Sequence, residues 1–374
     1  MLSPDEFNTA VRSCRFCPMC RHADVTVDLT RSETYSARGR GAVLFSALQD
    51  QLPYDADLGD VLYRFFADGL CHEYCAGHII HDEMVIEGRR RLVAAGASPR
   101  SVNAVCSNVE RCGNPWGLEE PDLLSLSGAT SRAELLVYFG ATARLKRRSV
   151  VLGLSLLLRS SGVPFTVLRN EGDPGLLLYQ LGHVDAGISA ATQLRERIAQ
   201  SGAKTVITPD ADAYRSLKAG FDRVAPVTLQ IRHSVDLLKD LAPNLRIRRD
   251  APRSVGYHDP CALARFSPCH DSPRELIRAL SGSAPSDVRV WNRNLAHCSG
   301  ECGGVPFTHP DMTERAAQRR LSELRETGAS MIVTSDPAAA VALQNSDLPV
   351  HELSEFAAAC VFGERWEDEI NSTM

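Results

Sequence analysis

Apolar positions along this chain follow two rhythms, and the change of rhythm divides it. Up to about residue 119 they recur every three to four residues, the period of helices packed on one side. Helices are predicted over residues 42–48, 57–66 and 82–95. The last carries Met84, Val85, Leu92 and Val93 on one face and arginines on the other. Another opens at Pro99 and is ended by Gly113-Asn114-Pro115-Trp116-Gly117. From about residue 133 short apolar strands alternate with helices instead. The strands are predicted within residues 134–140 (ELLVYFG), 204–209 (KTVITP), 253–259 (RSVGYHD) and 330–335 (SMIVTS).

This second stretch is an internal repeat. Residues 201–211 (SGAKTVITPDA) recur as 327–337 (TGASMIVTSDP), and the stretch from Val137 recurs from Val255. Strands and helices alternating at this spacing imply parallel, layered α/β units. The fold expected is therefore α/β with an all-α head: a helical domain over residues 1–120, then two α/β units over 133–248 and 252–374. Binding loops in such sheets gather at the C-terminal ends of strands. His233 and His351 fall at equivalent strand ends, each before a helix, and are expected to cap it.

At 374 residues the chain has room for two or three domains. A net charge of -5 gives no case for nucleic-acid binding. The basic run at residues 144–148 (RLKRR) is expected on a solvated helix face or at a partner contact. The first residues lack the apolar core of a secretory signal. The longest apolar run, residues 150–158, is too short to cross a bilayer and is broken by Gly153 and Ser155. A cytoplasmic protein, at most peripheral to a membrane, is expected.

Cysteine changes the picture most. There are 12, and a cytoplasmic setting turns them from disulfides towards metal or redox chemistry. Cys14-x2-Cys17-x2-Cys20 puts three thiols on one tight turn, the first three-quarters of the iron–sulfur pattern C-x2-C-x2-C-x3-C-P, with Asp24 at the fourth position. The others cluster at Cys71/Cys75, Cys106/Cys112, Cys261/Cys269 and Cys298/Cys302, and Cys360 stands alone. There is no G-x-G-x-x-G after a strand and no Walker motif, so no nucleotide or flavin site is legible.

These features together resemble the cysteine-rich (CCG-domain) iron–sulfur subunits of glycolate, lactate and glycerol-3-phosphate oxidoreductases and the heterodisulfide reductase D-like proteins. The residues that carry the likeness are Gly113–Gly117, Tyr257-His258-Asp259-Pro260-Cys261 and the helix start Asp271-Ser272-Pro273-Arg274-Glu275. The resemblance implies a two-cluster ferredoxin-like head followed by two repeats of the form C…CCG…CxxC. The head's second motif then falls on Phe65, Asp68, Cys71 and Cys75. In two-cluster ferredoxins the fourth cysteine of each motif serves the other cluster. One [4Fe–4S] cluster is therefore expected on Cys14, Cys17, Cys20 and Cys75. The second would need Asp24, Phe65, Asp68 and Cys71 and is expected to be lost, leaving Cys71 a buried relic. Asp24 as fourth ligand, or zinc in place of iron, are the rival readings.

In the first repeat the resemblance finds no thiol. Thr142 or Ala143 stands for the lead cysteine, Asp173-Pro174-Gly175 for Cys-Cys-Gly, and Asp210-Ala211-Asp212-Ala213 for C-x2-C. Helix caps and solvated loops are expected there, ahead of a hard-cation site, and this half is read as scaffold. The second repeat keeps Cys261 and Cys298, with Cys302 close by, and loses its C-x2-C to Asp336-Pro337-Ala338-Ala339. A second iron–sulfur centre is expected on Cys261, Cys298 and Cys302, with Cys269, Ser299, His297 or Asp336 as fourth ligand. His258 and Asp259 would tune it or orient the turn. Cys106, Cys112 and Cys360 are expected to be structural.

The functional expectation is an electron-transfer subunit. It would relay electrons between an FAD-dependent dehydrogenase and a quinone or carrier. The alternative is an enzyme whose incompletely ligated second cluster binds substrate directly. A third reading is a scaffold without redox chemistry.

Overall fold

The structure, a computed structural model, describes residues 2–221, 223–248 and 254–367. The expected start of the last unit at 252 and its residues 368–374 lie outside the described residues. The first part is helical, as the period predicts. It includes helices Pro4–Cys14, Ala37–Leu48, Ala56–Tyr63, His81–Ala94 and Arg100–Cys112. Ser3 and Glu6 close a capping box on the first helix, so its start is fixed and Cys14 falls on its last residue. Phe7, Val11, Leu44, Leu62, Met84, Val85 and Val102 form the core between these helices, joined by Leu178 and Leu181 from the following unit.

Six strands then form two separate parallel sheets. One contains β1 (Leu135–Val137), β2 (Thr205–Thr208) and β3 (Gln230–His233). The other contains β4 (Val255–His258), β5 (Met331–Thr334) and β6 (Val350–Glu352). Each first strand makes one further bridge on its outer side, Leu136 to Thr166 and Gly256 to Ser286. The two sheets are thus built alike.

Register corrects the alignment of the repeats. Leu135 pairs with Thr205 just as Val255 pairs with Met331. Leu135, not Val137, therefore stands opposite Val255, and Ala141, not Thr142 or Ala143, occupies the place of Cys261. Backbone hydrogen bonds decide the pairing of strands, and residue likeness was two positions out. A second shift follows from glycine geometry. Gly172 and Gly300 have φ of 71° and 102°, while Gly175 and Gly304, at 82° and 75°, open the short helices Leu176–Gln180 and Val305–Thr308. Asn170-Glu171-Gly172 therefore stands for Cys298-Ser299-Gly300, in place of Asp173-Pro174-Gly175.

The two sheet units share one core. Helix Arg148–Ser160 lies against helix Leu353–Phe362, with Val150, Leu154 and Leu157 packed among Phe356, Ala357 and Ala358. At Gly153 a Cβ would come within 3.1 Å of the Ser354 carbonyl oxygen, so a small residue permits the close approach. Much of the basic run is structural. Arg144 is buried against Glu171 at 2.9 Å, and Arg147 holds Glu355 at 2.8 Å across the unit boundary.

The helical part is tied to both units by one side chain. Arg89, fully buried, donates to the carbonyls of Leu62 and Phe65, to Gln180 at 2.8 Å and to Gly303 at 2.9 Å. Five donors in a rigid fork can satisfy carbonyls from separate segments at once. Of the two strand-end histidines, His233 caps its helix as expected, its ring nitrogen accepting from Val235 N at 3.3 Å. His351 does not. Its helix starts one residue later, on Glu352, which forms a capping box with Glu355.

Candidate metal centres

In the head, Cys14 ends its helix and Cys17 and Cys20 follow in the turn. Burial, then Cys20, with Cys75 and Cys17 close enough to add to it, pushes the Cys14 thiol up to about 12. The four expected thiols therefore share one region of the head, but among the described residues only Cys261, Cys298, Cys302 and Glu301 bring their ligand atoms within 4.8 Å of one another. Ile79 N–H donates to Cys75 Sγ at 3.3 Å, as backbone amides do to anionic sulfur. Cys17 is exposed and Cys20 and Cys75 are half-buried.

Beside them Asp24, Phe65, Asp68 and Cys71, the positions expected for a second cluster, are packed against arginines. Arg40, fully buried, pairs with Asp24 at 2.5 Å and stacks 4.1 Å over the Phe65 ring. Cys71 Sγ lies 3.6 Å from Asp24 Oδ2. Two positions without a thiol, Asp24 and Phe65, and the remaining Cys71 thus gather round one guanidinium. The fourth, Asp68, takes a second one, with Arg265 Nη2 3.7 Å away. Asp24 also caps helix Val25–Thr30 by accepting from Thr26 N at 3.0 Å. Its oxygens are engaged, which argues against its serving as a cluster ligand.

Arg40 reaches the first set as well. Its Nε donates to His81 Nε2 at 3.1 Å, so the ring proton sits on Nδ1, which faces Cys14 Sγ at 3.7 Å. Burial, then Arg40, holds His81 well below its ordinary value, so it stays neutral. Cys71 is buried but is not remote. Its thiol hydrogen-bonds to Cys20, which holds Cys20 below its ordinary value.

The second set is tighter. The Sγ atoms of Cys261, Cys298 and Cys302 and a carboxylate oxygen of Glu301 all lie within 4.8 Å of one another. β4 delivers Cys261 to the end of its sheet, onto a π-helical turn over Ala262–Phe266. Gly300 N–H donates to Cys298 Sγ at 3.2 Å. Hydrogen bonds from Cys298 and Cys302 hold Cys261 well below its ordinary value, so one anionic sulfur is shared by two thiols. Metal–sulfur bonds of about 2.3 Å in a tetrahedron set sulfurs about 3.8 Å apart, a spacing this set can adopt.

The candidate fourth donor is Glu301, which sequence reasoning missed. Cys269 sits in a separate apolar cluster with Ala211, Tyr214 and Leu263. His297 turns to Glu323 at 2.7 Å and lies against Trp291. Both Asp336 oxygens are taken by backbone N–H groups, of Ala211 at 3.0 Å and Ala339 at 2.9 Å. Ser299 serves Glu301 rather than replacing it. Arg320 Nε donates to His258 Nδ1 at 3.0 Å, which leaves His258 Nε2–H to donate to Ser299 Oγ at 3.0 Å. Ser299 in turn donates to Glu301 Oε2 at 2.5 Å. Such outer chains orient the ligands of metal sites. The clue in the sequence was a glutamate wedged between Cys298 and Cys302.

Arg265 completes the second site. It is buried, its Nη2 has no hydrogen-bond partner, and the thiols of Cys261, Cys298 and Cys302 shape its charge. A buried cation facing three thiols fits a group that carries negative charge, as metal–thiolate centres do. In the first repeat Asp210 caps helix Ala211–Ala219 and Asp173 accepts from Gly175 N at 2.7 Å, as the capping expectation holds.

Comparison with known proteins agrees with this chemistry. Residues 255–344 match the cysteine-rich domain CCG. Among the proteins the chain resembles, one is named a probable iron–sulfur-binding oxidoreductase and one a heterodisulfide reductase subunit. A "Probable membrane-anchored ferredoxin" of Chromohalobacter salexigens is 26% identical over 78% of this chain and 47% of that protein. The D-type component of the dihydromethanophenazine:CoB–CoM heterodisulfide reductase of Methanosarcina acetivorans is 26% identical over 72% of this chain and 69% of its own length. EtfAB:quinone oxidoreductase of Syntrophomonas wolfei is 25% identical over 78% of this chain and 44% of that protein. The chain thus spans less than half the length of two of these relatives. Among the described residues of this CCG-domain chain, no helix is long and apolar enough to cross a membrane.

Proposed function

We propose that this chain is an electron-transfer subunit that relays electrons between an FAD-dependent dehydrogenase and a quinone or carrier. The observation that carries the reading is the buried set of Cys261, Cys298, Cys302 and Glu301 inside the CCG-matched segment. Iron–sulfur groups, when bound, supply one-electron transfer. Cys14, Cys17, Cys20 and Cys75 would hold a [4Fe–4S] cluster in a helical domain over residues 1–120. The unit over 252–374 would hold the second centre, with Glu301 as its fourth ligand, and the unit over 133–248 would hold none.

The chain's own residues support a relay. Cys17 is exposed at the head, flanked by Phe16 at 72% and Met19 at 54% exposure, an apolar rim on which a flavoprotein can dock. Arg265 then links the head's Asp68 to the second set. A protein named EtfAB:quinone oxidoreductase among the relatives supports a quinone as one terminus.

A second reading follows from Glu301. A carboxylate is a harder and more exchangeable donor to iron than thiolate, so substrate could bind directly at that corner. Anaerobic iron, zinc and sulfide quantification with EPR, on the native chain and on Cys261→Ser, tests both. The relay predicts two iron-containing centres and loss of one in the variant. Zinc without sulfide at the second site would overturn its redox role. A substrate-induced change in its EPR spectrum would favour direct binding.

A further inference from the structure

The positions from which the first repeat has lost its thiols do not all collapse into core. Of these, Ala141 and Asp210 line one cavity of about 430 Å³ between the two repeats, together with Asp173 and with Asp336, where the second repeat lacks its C-x2-C. That volume lies in the usual range for small-molecule sites, about 300–1,000 Å³. The scaffold reading of this half is therefore incomplete: Glu171 is packed against Arg144, but beside Ala141 and Asp210 there is space.

The lining has two characters. Trp116, Leu176, Leu177, Phe307 and Val341 give it apolar walls, with Trp116 and Phe307 rings 6.2 Å apart. Exposed Lys146 holds its ammonium 5.0 Å from the Trp116 ring and marks the open edge. The carboxyl groups of Asp173, Asp210 and Asp336 gather together, and Glu301 also lines the cavity. Through Glu301 the space abuts the Cys261, Cys298 and Cys302 set directly. A molecule seated here would lie next to the second centre, between flat aromatic walls and hydrogen-bonding acids.

We propose that this cavity binds a quinone-type molecule, its ring between the apolar walls and a carbonyl towards the carboxyl groups of Asp173 and Asp210, each of which gives one oxygen to a backbone N–H. The inference rests on the relay reading and names where one terminus of that relay sits. A ring without charge suits the walls, and carbonyl oxygens suit protonated acids as donors. Burial pushes Asp173 up to about 6, so it holds a proton more readily than a solvated aspartate does. Reduction of a quinone to its quinol adds two electrons and two protons, one proton to each carbonyl oxygen. The electrons are those the relay delivers, and the clustered carboxyl groups lie where protons are needed.

Anaerobic titration calorimetry of the purified holoprotein with duroquinone tests this, since its four methyl groups block addition to thiols. Ala342→Phe and Ala338→Leu narrow the cavity from one helix without touching a thiol or an acid. One site per chain is expected, with affinity at least tenfold weaker in either variant that remains folded by circular dichroism. Iron content and EPR spectra should stay unchanged. No binding, or equal binding in native chain and variants, overturns the proposal. Iron present and reducible without quinone binding would sink the cavity alone. Duroquinone binding in a chain that retains no iron would sink the relay and leave the cavity standing.

Discussion

Arg40 and Asp24 form a fully buried ion pair, 2.5 Å long. The guanidinium meets Asp24, Phe65 and the neighbourhood of Cys71, so one side chain fills the space between two positions without a thiol and one that keeps it.

Breaking this pair on one side should be costly. Asp24→Ala leaves a buried cation unpaired, and one-sided removal of such pairs costs about 3–5 kcal/mol. Denaturant unfolding of the holoprotein should show that loss, while Asp24→Leu combined with Arg40→Met recovers most of it. Iron retained by folded Asp24→Ala would confirm that the carboxylate is no cluster ligand.

Cys75 and Cys71 compete for the same role in the head. Cys75→Ser should remove the head cluster's iron and its EPR signal. Cys71→Ser should leave iron in place and alter only the hydrogen bond to Cys20. The opposite pattern would assign the fourth thiolate to Cys71.

The second centre depends on a chain of hydrogen bonds that ends on Glu301. Ser299→Ala should weaken metal retention there by about 10–100-fold, the usual effect of losing an outer partner. Glu301→Ala should weaken it further. Chelator competition, followed by metal analysis against the head cluster as internal standard, measures both. Equal retention in native chain and variants would remove Glu301 from the site.

Stability should fall as pH rises from about 4.5 to about 8 because of Glu352. Burial pushes this cap of the last helix up to about 8, with Glu355 next in effect, against 4.5 for the free group. The folded chain therefore binds the proton more tightly than the unfolded one. Its contribution is complete below about 4.5 and is lost as pH rises through about 8. Glu352→Gln keeps an acceptor for Ser354 N and cannot titrate, so its unfolding free energy should decline less between these values than that of the native chain.

The helical period of the head, the strand alternation behind it and the repeat were legible because side-chain pattern and backbone period are local properties. The C-x2-C-x2-C turn was legible for the same reason, as were Cys261 and Cys298. Residue likeness misjudged the repeats by two positions in β1 against β4, since parallel register is settled by hydrogen bonds to β2 and β5, some seventy residues further on. His351 was misread as a cap because its strand runs one residue past it, and Glu352, paired with Thr334 as His233 is with Thr208, takes that role.

What the sequence by itself determined is a helical head, two parallel α/β units and thiols grouped where metal chemistry belongs. Only the tertiary structure decided who completes each group. Glu301 joins three thiols, Arg40 fills the space between Asp24, Phe65 and Cys71, and a cavity opens between the two repeats. The reason is physical. Spacing within a turn constrains donors a few residues apart, but long-range packing sets which distant carboxylate, guanidinium or empty volume meets them.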